Sequence, residues 1–146
     1  MAAELLRREF SVEQPLPEAW RALAEVSAWP GWAPHLRRVQ VEPAGPIGPN
    51  STGSLSFRPL GRSQFRVSSY AEGAGWEWVG KVLWLTIRYD HRFAQDGSRT
   101  RMTWTVSEDG DRRSLLGRLF ASVYGRLVDR AIPRLQEQLK SANRGA

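Results

Sequence analysis

The sequence predicts an α+β fold in which helices lie against one face of a curved antiparallel sheet. From Ser114 to about Ser141 the apolar residues recur at the period of an amphipathic helix, about 3.6 residues per turn. Between Ser54 and Glu108 the chain instead alternates apolar and polar residues in short runs split by turn signals. One strand and two short helical stretches precede those runs, an order that layers helices on one side of a sheet.

Leu6 to Glu13 reads as the first strand, with Phe10 and Val12 on one side and Glu9, Ser11 and Glu13 on the other. Pro15 and Pro17 end it, and Pro17 suits the first position of a helix over Pro17–Val26. Pro30, Gly31 and Pro34 leave at most a short second helix within Trp29–Leu36, and His35 is expected in solvent. Val39 and Val41 start a strand, and Pro43–Gly53 is a loop punctuated by proline and glycine. Ser54–Pro59 follows with Leu55 and Phe57 on one face, then Ser63–Tyr70 with Phe65, Val67 and Ser69 together. Trp76 and Trp78 mark the next strand. Leu83–Ala94 is long and turns at Gln95-Asp96-Gly97-Ser98 into Arg99–Glu108, where Met102, Trp104 and Val106 share a face.

On the final helix, Gly117, Ala121, Tyr124, Val128, Ala131 and Leu135 run along the middle of the apolar stripe, flanked by Phe120, Leu127 and Ile132. Small residues there either let the helix press close to the sheet or leave volume for a ligand.

A chain of 146 residues is expected to form one domain, residues 1–146, with a core over about 7–143. The longest apolar run, Val82-Leu83-Trp84-Leu85, is far short of the roughly 20 residues of a membrane span. The first residues lack the pattern of a secretory signal, so a cytoplasmic location is expected. The absence of cysteine excludes disulfides, thiolate metal sites and cysteine nucleophiles. Two histidines far apart, without clustered carboxylates, argue against a metal, and no phosphate-binding glycine loop is present. The net charge is +6, and all but Lys81 and Lys140 of the 21 basic residues are arginine. Arg58, Arg66, Arg88 and Arg101 share outward parity with Glu77 and Asp90; a solvated sheet face explains them better than a nucleic-acid surface.

The order of elements resembles the START-like (SRPBCC) superfamily, in particular its bacterial polyketide cyclase/dehydrase-like branch. The residues that carry the likeness are Pro17-Glu18-Ala19-Trp20, Trp29-Pro30-Gly31-Trp32-Ala33-Pro34, the hairpin from Tyr89-Asp90-His91-Arg92-Phe93 to Met102-Thr103-Trp104, and the long terminal helix. It spans roughly Arg7 to Asn143. The resemblance implies a helix-grip fold: a curved antiparallel sheet wrapped around the last helix, with a cavity between them. Its partner would be a small hydrophobic molecule such as a polyketide, lipid, isoprenoid or aromatic metabolite.

Burying Arg88, Asp90 and Arg92 would desolvate three charges, so Leu83, Leu85, Ile87, Tyr89, His91 and Phe93 are expected to face the helix. The expected lining is Phe57, Phe65, Val67, Ser69, Trp76, Trp78, Ile87, Tyr89, His91, Met102 and Trp104 from the sheet. Gly117, Phe120, Ala121 and Tyr124 would complete it from the helix. The mouth is expected near Trp29–Pro34 and the Pro43–Gly53 loop.

A binding or transport protein is the first reading, with His91, Tyr89 and Ser69 orienting the polar end of the ligand. The alternative is a cyclase/aromatase or dehydratase in which His91 and Tyr89 move protons. That chemistry lacks an inward carboxylate beside His91. No cofactor, no metal and no nucleic acid are expected, and the chain would be a monomer or homodimer.

Overall fold

The computed structural model describes residues 2–58 and 61–145; the expected strand end at Pro59 lies outside them. Seven antiparallel strands form one sheet: β1 (Ala2–Val12), β2 (Leu36–Glu42), β3 (Thr52–Phe57), β4 (Gly61–Ala71), β5 (Gly75–Val82), β6 (Leu85–Asp96) and β7 (Arg99–Asp109). Their spatial order is β1-β7-β6-β5-β4-β3-β2, so the first two strands form opposite edges. The long helix α2 (Leu115–Gly145) closes the helix-grip arrangement. Helix α1 (Leu16–Ala24) and a 3-10 helix (Val26–Gly31) make the crossover between the two edge strands.

Helix α1 starts without a side-chain cap; Pro17 lies in its first turn, where a missing N–H leaves nothing unpaired. The Leu16 N–H donates instead to Gln95 Oε1 of β6 at 2.8 Å. The Ile47 N–H then donates to Ala24 O at 2.9 Å, pinning the β2–β3 loop against the end of α1.

Buried Gly117, Phe120, Val128, Ala131, Leu135 and Leu139 mark the inner stripe of α2. Arg8 donates to Asp129 from Nε at 2.6 Å and from Nη2 at 3.2 Å, and Gln136 Nε2 donates to Ser11 O at 3.0 Å. Both contacts tie α2 to β1. On the outer face of the sheet Arg88 reaches Asp109 at 2.6 Å and Glu77 at 3.0 Å, the solvated arrangement its parity predicts.

Three expectations need correction. A bulge between Val67 and Ser69 switches the parity of β4, so Ser69 is exposed and Tyr70 turns inward onto Trp20, with ring centroids 5.9 Å apart. Leu83 lies outside β6: Val82 pairs with Leu85, and Leu83-Trp84 is the exposed tip of a two-residue hairpin. His35 is buried rather than solvated. Glu108, at the expected end of β7, continues the inward parity of Trp104 and Val106.

Candidate functional site

Sheet and helix converge on an aromatic chamber whose roof is the 3-10 helix. Pro30 and Gly31 break α-helical periodicity there and leave a tight 3-10 helix, whose last turn is closed by the Trp32 N–H to Trp29 O at 3.1 Å. That turn drives Trp29 into the core. Its ring lies 5.3 Å from Trp32, 5.3 Å from Trp78, 5.5 Å from His91 and 6.5 Å from Trp104. The Trp29 indole N–H donates to Leu23 O at 2.9 Å, which fixes the ring against α1.

The expected ligand-sized cavity is therefore largely filled. A hollow of about 30 Å³ remains beneath Trp29 and Trp32, bounded also by His35, Phe57, Trp78, His91, Trp104 and Tyr124. A second, of about 20 Å³, lies on the other side of His91, Trp104 and Tyr124, against Leu6 and Tyr89. Each has room for about one water molecule. Of the expected mouth, Trp29–Pro34 contributes Trp29, Trp32 and Ala33, whereas the Pro43–Gly53 loop lines neither hollow.

The polar atoms of the chamber are its informative feature. His35 Nδ1, Trp78 Nε1, His91 Nδ1 and Trp104 Nε1 are buried, have no hydrogen-bond partner among the described residues, and belong to side chains that line the larger hollow. Leaving such an atom unpaired costs about 1–3 kcal/mol, so four around one hollow mark a place for a polar group, a water molecule or the oxygen of a ligand. Trp76 Nε1 is unpaired too, but its ring lines neither hollow.

Burial sets the protonation states. His91 is held neutral with its pKa lowered to about 3, chiefly by desolvation and offset slightly by the backbone of Trp76. Desolvation likewise lowers His35 to about 4. Tyr89 and Tyr124, with rings 5.7 Å apart, are pushed above the ordinary phenol range by burial. At neutral pH the chamber thus presents neutral imidazoles and intact phenols. These groups form hydrogen bonds readily and carry no charge.

The expected lining residues divide accordingly. Phe57, Trp78, His91, Trp104 and Tyr124 border the larger hollow, and Tyr89 borders the smaller one. Phe65, Val67, Trp76, Ile87, Met102 and Phe120 are buried core residues that border neither. Ser69 is excluded by the bulge.

Gly117 serves a different purpose from cavity making. A Cβ there would overlap the carboxylate of Glu108, which is buried against the start of α2. Glu108 accepts the Ser114 N–H at 2.5 Å and the Ser114 hydroxyl at 2.8 Å, while Ser114 Oγ accepts the Gly117 N–H at 2.9 Å. A carboxylate and a hydroxyl together satisfy the orphan N–H groups of the helix start and face its positive pole. Ala121 lies elsewhere, beside Leu5, Arg8 and Arg113 in a shallow outer groove.

Local patterning missed Trp29, Trp32 and His35 as chamber residues, because their burial depends on how one irregular turn docks. No group of His, Cys, Asp or Glu capable of holding a metal occurs among the described residues. No described helix is long and apolar enough to cross a membrane.

The family model for polyketide cyclase / dehydrase and lipid transport proteins matches residues 6–142. No curated protein matches the chain in sequence. Among solved structures, Ara h 8.0201 is similar at 10% identity and a TM-score of 0.72, over 97% of this chain and 99% of its own. A START superfamily protein from Mycobacterium smegmatis is similar at 9% identity and a TM-score of 0.68, over 96% and 99%. The Zhui aromatase/cyclase from Streptomyces sp. R1128 is similar at 16% identity and a TM-score of 0.68, over 99% and 95%. At these identities the likeness is one of fold.

Proposed function

The chain belongs to the polyketide cyclase / dehydrase and lipid transport family, and from that premise we propose that it binds a small, flat, largely apolar molecule by an oxygen atom docked in the aromatic chamber. The observation that carries this reading is the set of four unpaired buried polar atoms around one hollow. Two of them, Trp78 Nε1 and Trp104 Nε1, are obligate donors. A carbonyl oxygen accepts two hydrogen bonds, so a ketone or quinone-like oxygen matches the pair. His91 and His35 can each donate or accept according to tautomer, which suits a neighbouring hydroxyl.

A ligand needs hundreds of Å³, against about 30 Å³ in the closed chamber. Binding therefore requires the roof to open. The short 3-10 helix, which contains Pro30, is the element suited to that movement, and Trp29 and Trp32 would re-pack against the ligand. Burial of the ligand's apolar surface supplies about 25 cal/mol per Å², which must offset the displacement of Trp29.

Neutral groups favour binding over proton transfer. His91, with a pKa of about 3, is almost entirely unprotonated at pH 7 and cannot serve as a general acid without a large penalty. Asp90, the nearest carboxylate along β6, pairs with Arg92 on the outer side at 3.0 Å. Cyclase chemistry by this chamber would consist of holding a folded polyketone and donating hydrogen bonds to its carbonyls.

The test is mass spectrometry of an organic extract of purified protein, beside an extract of the Trp78→Phe/Trp104→Phe variant. A lipophilic carbonyl compound present with the native chain and depleted in the variant supports the proposal. An equal yield from both removes the indoles from the site. Turnover of aromatic polyketones by native protein that disappears in His91→Ala would favour the enzymatic alternative.

A further inference from the structure

We propose that the end of the sheet carrying the β5–β6 hairpin docks on an anionic lipid bilayer. The hairpin tip is built against its own backbone chemistry. Val82 pairs with Leu85, which leaves two central residues, and the first, Leu83, has φ +55°. Two-residue hairpins place glycine, asparagine or aspartate at such positions because a Cβ is strained there. Here the left-handed position holds Leu83 and Trp84 follows it, with 72% and 73% of their surfaces in solvent. Nothing within the described fold compensates for either the strain or the exposure.

A second exposed apolar pair lies at the same end. Ile87 of β6 is opposite Glu108 of β7, so the hairpin tip and the β7–α2 junction project from one edge. At that junction Leu115 and Leu119 are 85% and 62% exposed on the first turns of α2. Charge distinguishes the partner. Lys81 precedes the hairpin tip by two residues, and Arg112, Arg113 and Arg118 lie within three residues of Leu115; all four are exposed. Asp109 is already engaged by Arg88, Glu108 is buried against Ser114, and Glu4, opposite Ser107 on β1, pairs with Arg7, which leaves Asp111 as the unengaged carboxylate among the described residues of this end. Tryptophan and leucine at a tip ringed by Lys and Arg match a headgroup interface, where indole rings sit at the apolar–polar boundary and cations meet lipid phosphates. A second copy of the chain would bring the same cations face to face.

This inference stands apart from the chamber, since none of its residues lines either hollow. The test is flotation with phosphatidylcholine vesicles and with phosphatidylcholine–phosphatidylglycerol vesicles. Native protein should float with the anionic vesicles only. Leu83→Gly/Trp84→Ser installs a preferred turn sequence, so it should keep or raise the melting temperature while flotation falls to the level seen with phosphatidylcholine. Arg112→Gln/Arg113→Gln, which leaves the apolar tip intact, should also weaken flotation. No flotation with anionic vesicles, equal flotation with both compositions, or flotation unchanged in the Leu83→Gly/Trp84→Ser variant overturns the proposal. A dimer in analytical ultracentrifugation that this variant dissociates would overturn it in favour of a second copy of the chain.

Discussion

The two halves of the core beneath α2 are made of different chemistry. Around the C-terminal half, buried polar groups are paired: Gln14 Nε2 donates to Leu139 O at 3.0 Å, and the Thr100 hydroxyl donates to Gln14 O at 2.8 Å. Leu135, Ala131 and Val12 pack there with almost no exposure. In the half beneath the 3-10 helix, four polar atoms of the chamber lack partners, and two hollows remain. One half is finished as a protein interior. The other keeps unpaired polar atoms around its hollows, and it is this contrast on which the proposed binding rests, in a fold that many functions share.

If the paired half is scaffold, its disruption should dominate stability. Leu135→Ala should cost about 2–5 kcal/mol in urea unfolding, through lost transfer energy and the void left behind. A loss below about 1 kcal/mol would show this half to be looser than its packing indicates.

The junction at the start of α2 ranks next. Gly117→Ala forces a methyl group against the Glu108 carboxylate and should cost about 1–3 kcal/mol by overpacking. Substituting alanine at Gly31, where a Cβ would meet Gln138 Oε1 at an ordinary 3.9 Å, should have little effect in the same assay.

Acid should strike the chamber first. His35 and His91 hold folded pKa values of about 4 and about 3, below the ordinary 6.5. Below about pH 6.5 the unfolded chain binds protons that the folded chain refuses, so stability is full above that value and falls with decreasing pH. Each histidine should contribute about 1.4 kcal/mol per pH unit between its unfolded and folded values. Unfolding free energies at pH 7 and pH 5 measure the slope, and His35→Gln should remove one histidine's share.

The smallest effect sharpens the contrast most. His91→Leu at pH 7 should change stability by less than about 1 kcal/mol, since it loses the contact with the Trp76 backbone but removes an unpaired Nδ1. A loss of several kcal/mol would make His91 a structural residue.

Much of this frame was legible from local pattern. The charges Arg88, Asp90 and Arg92 forced the parity of β6 and so the inward aim of Tyr89 and His91, as the burial of both shows. The periodicity of α2 likewise predicted Gly117, Val128, Ala131 and Leu135 in its buried stripe, while Phe120, expected as a flank, is buried and Ala121 lies half-exposed in an outer groove. Alternation cannot reveal a bulge, which is why Ser69 was expected inside. Nor could it divide the run Val82–Leu85, whose turn carries none of the usual turn residues. The size of the chamber was hidden for a different reason: Trp29 fills it through tertiary docking of an irregular turn, and no periodicity encodes that docking.

The central claim is that the unpaired indoles await a ligand oxygen. It is tested most directly by heteronuclear NMR of protein labelled with nitrogen-15 at tryptophan. The titrants are an acetyl-substituted naphthalene and its ethyl-substituted counterpart, alike in shape but differing in the carbonyl. The acetyl compound should move the indole N–H signals of Trp78 and Trp104 downfield, and the ethyl compound should leave them without that shift. Equal shifts from both compounds, or none from either, would contradict the account.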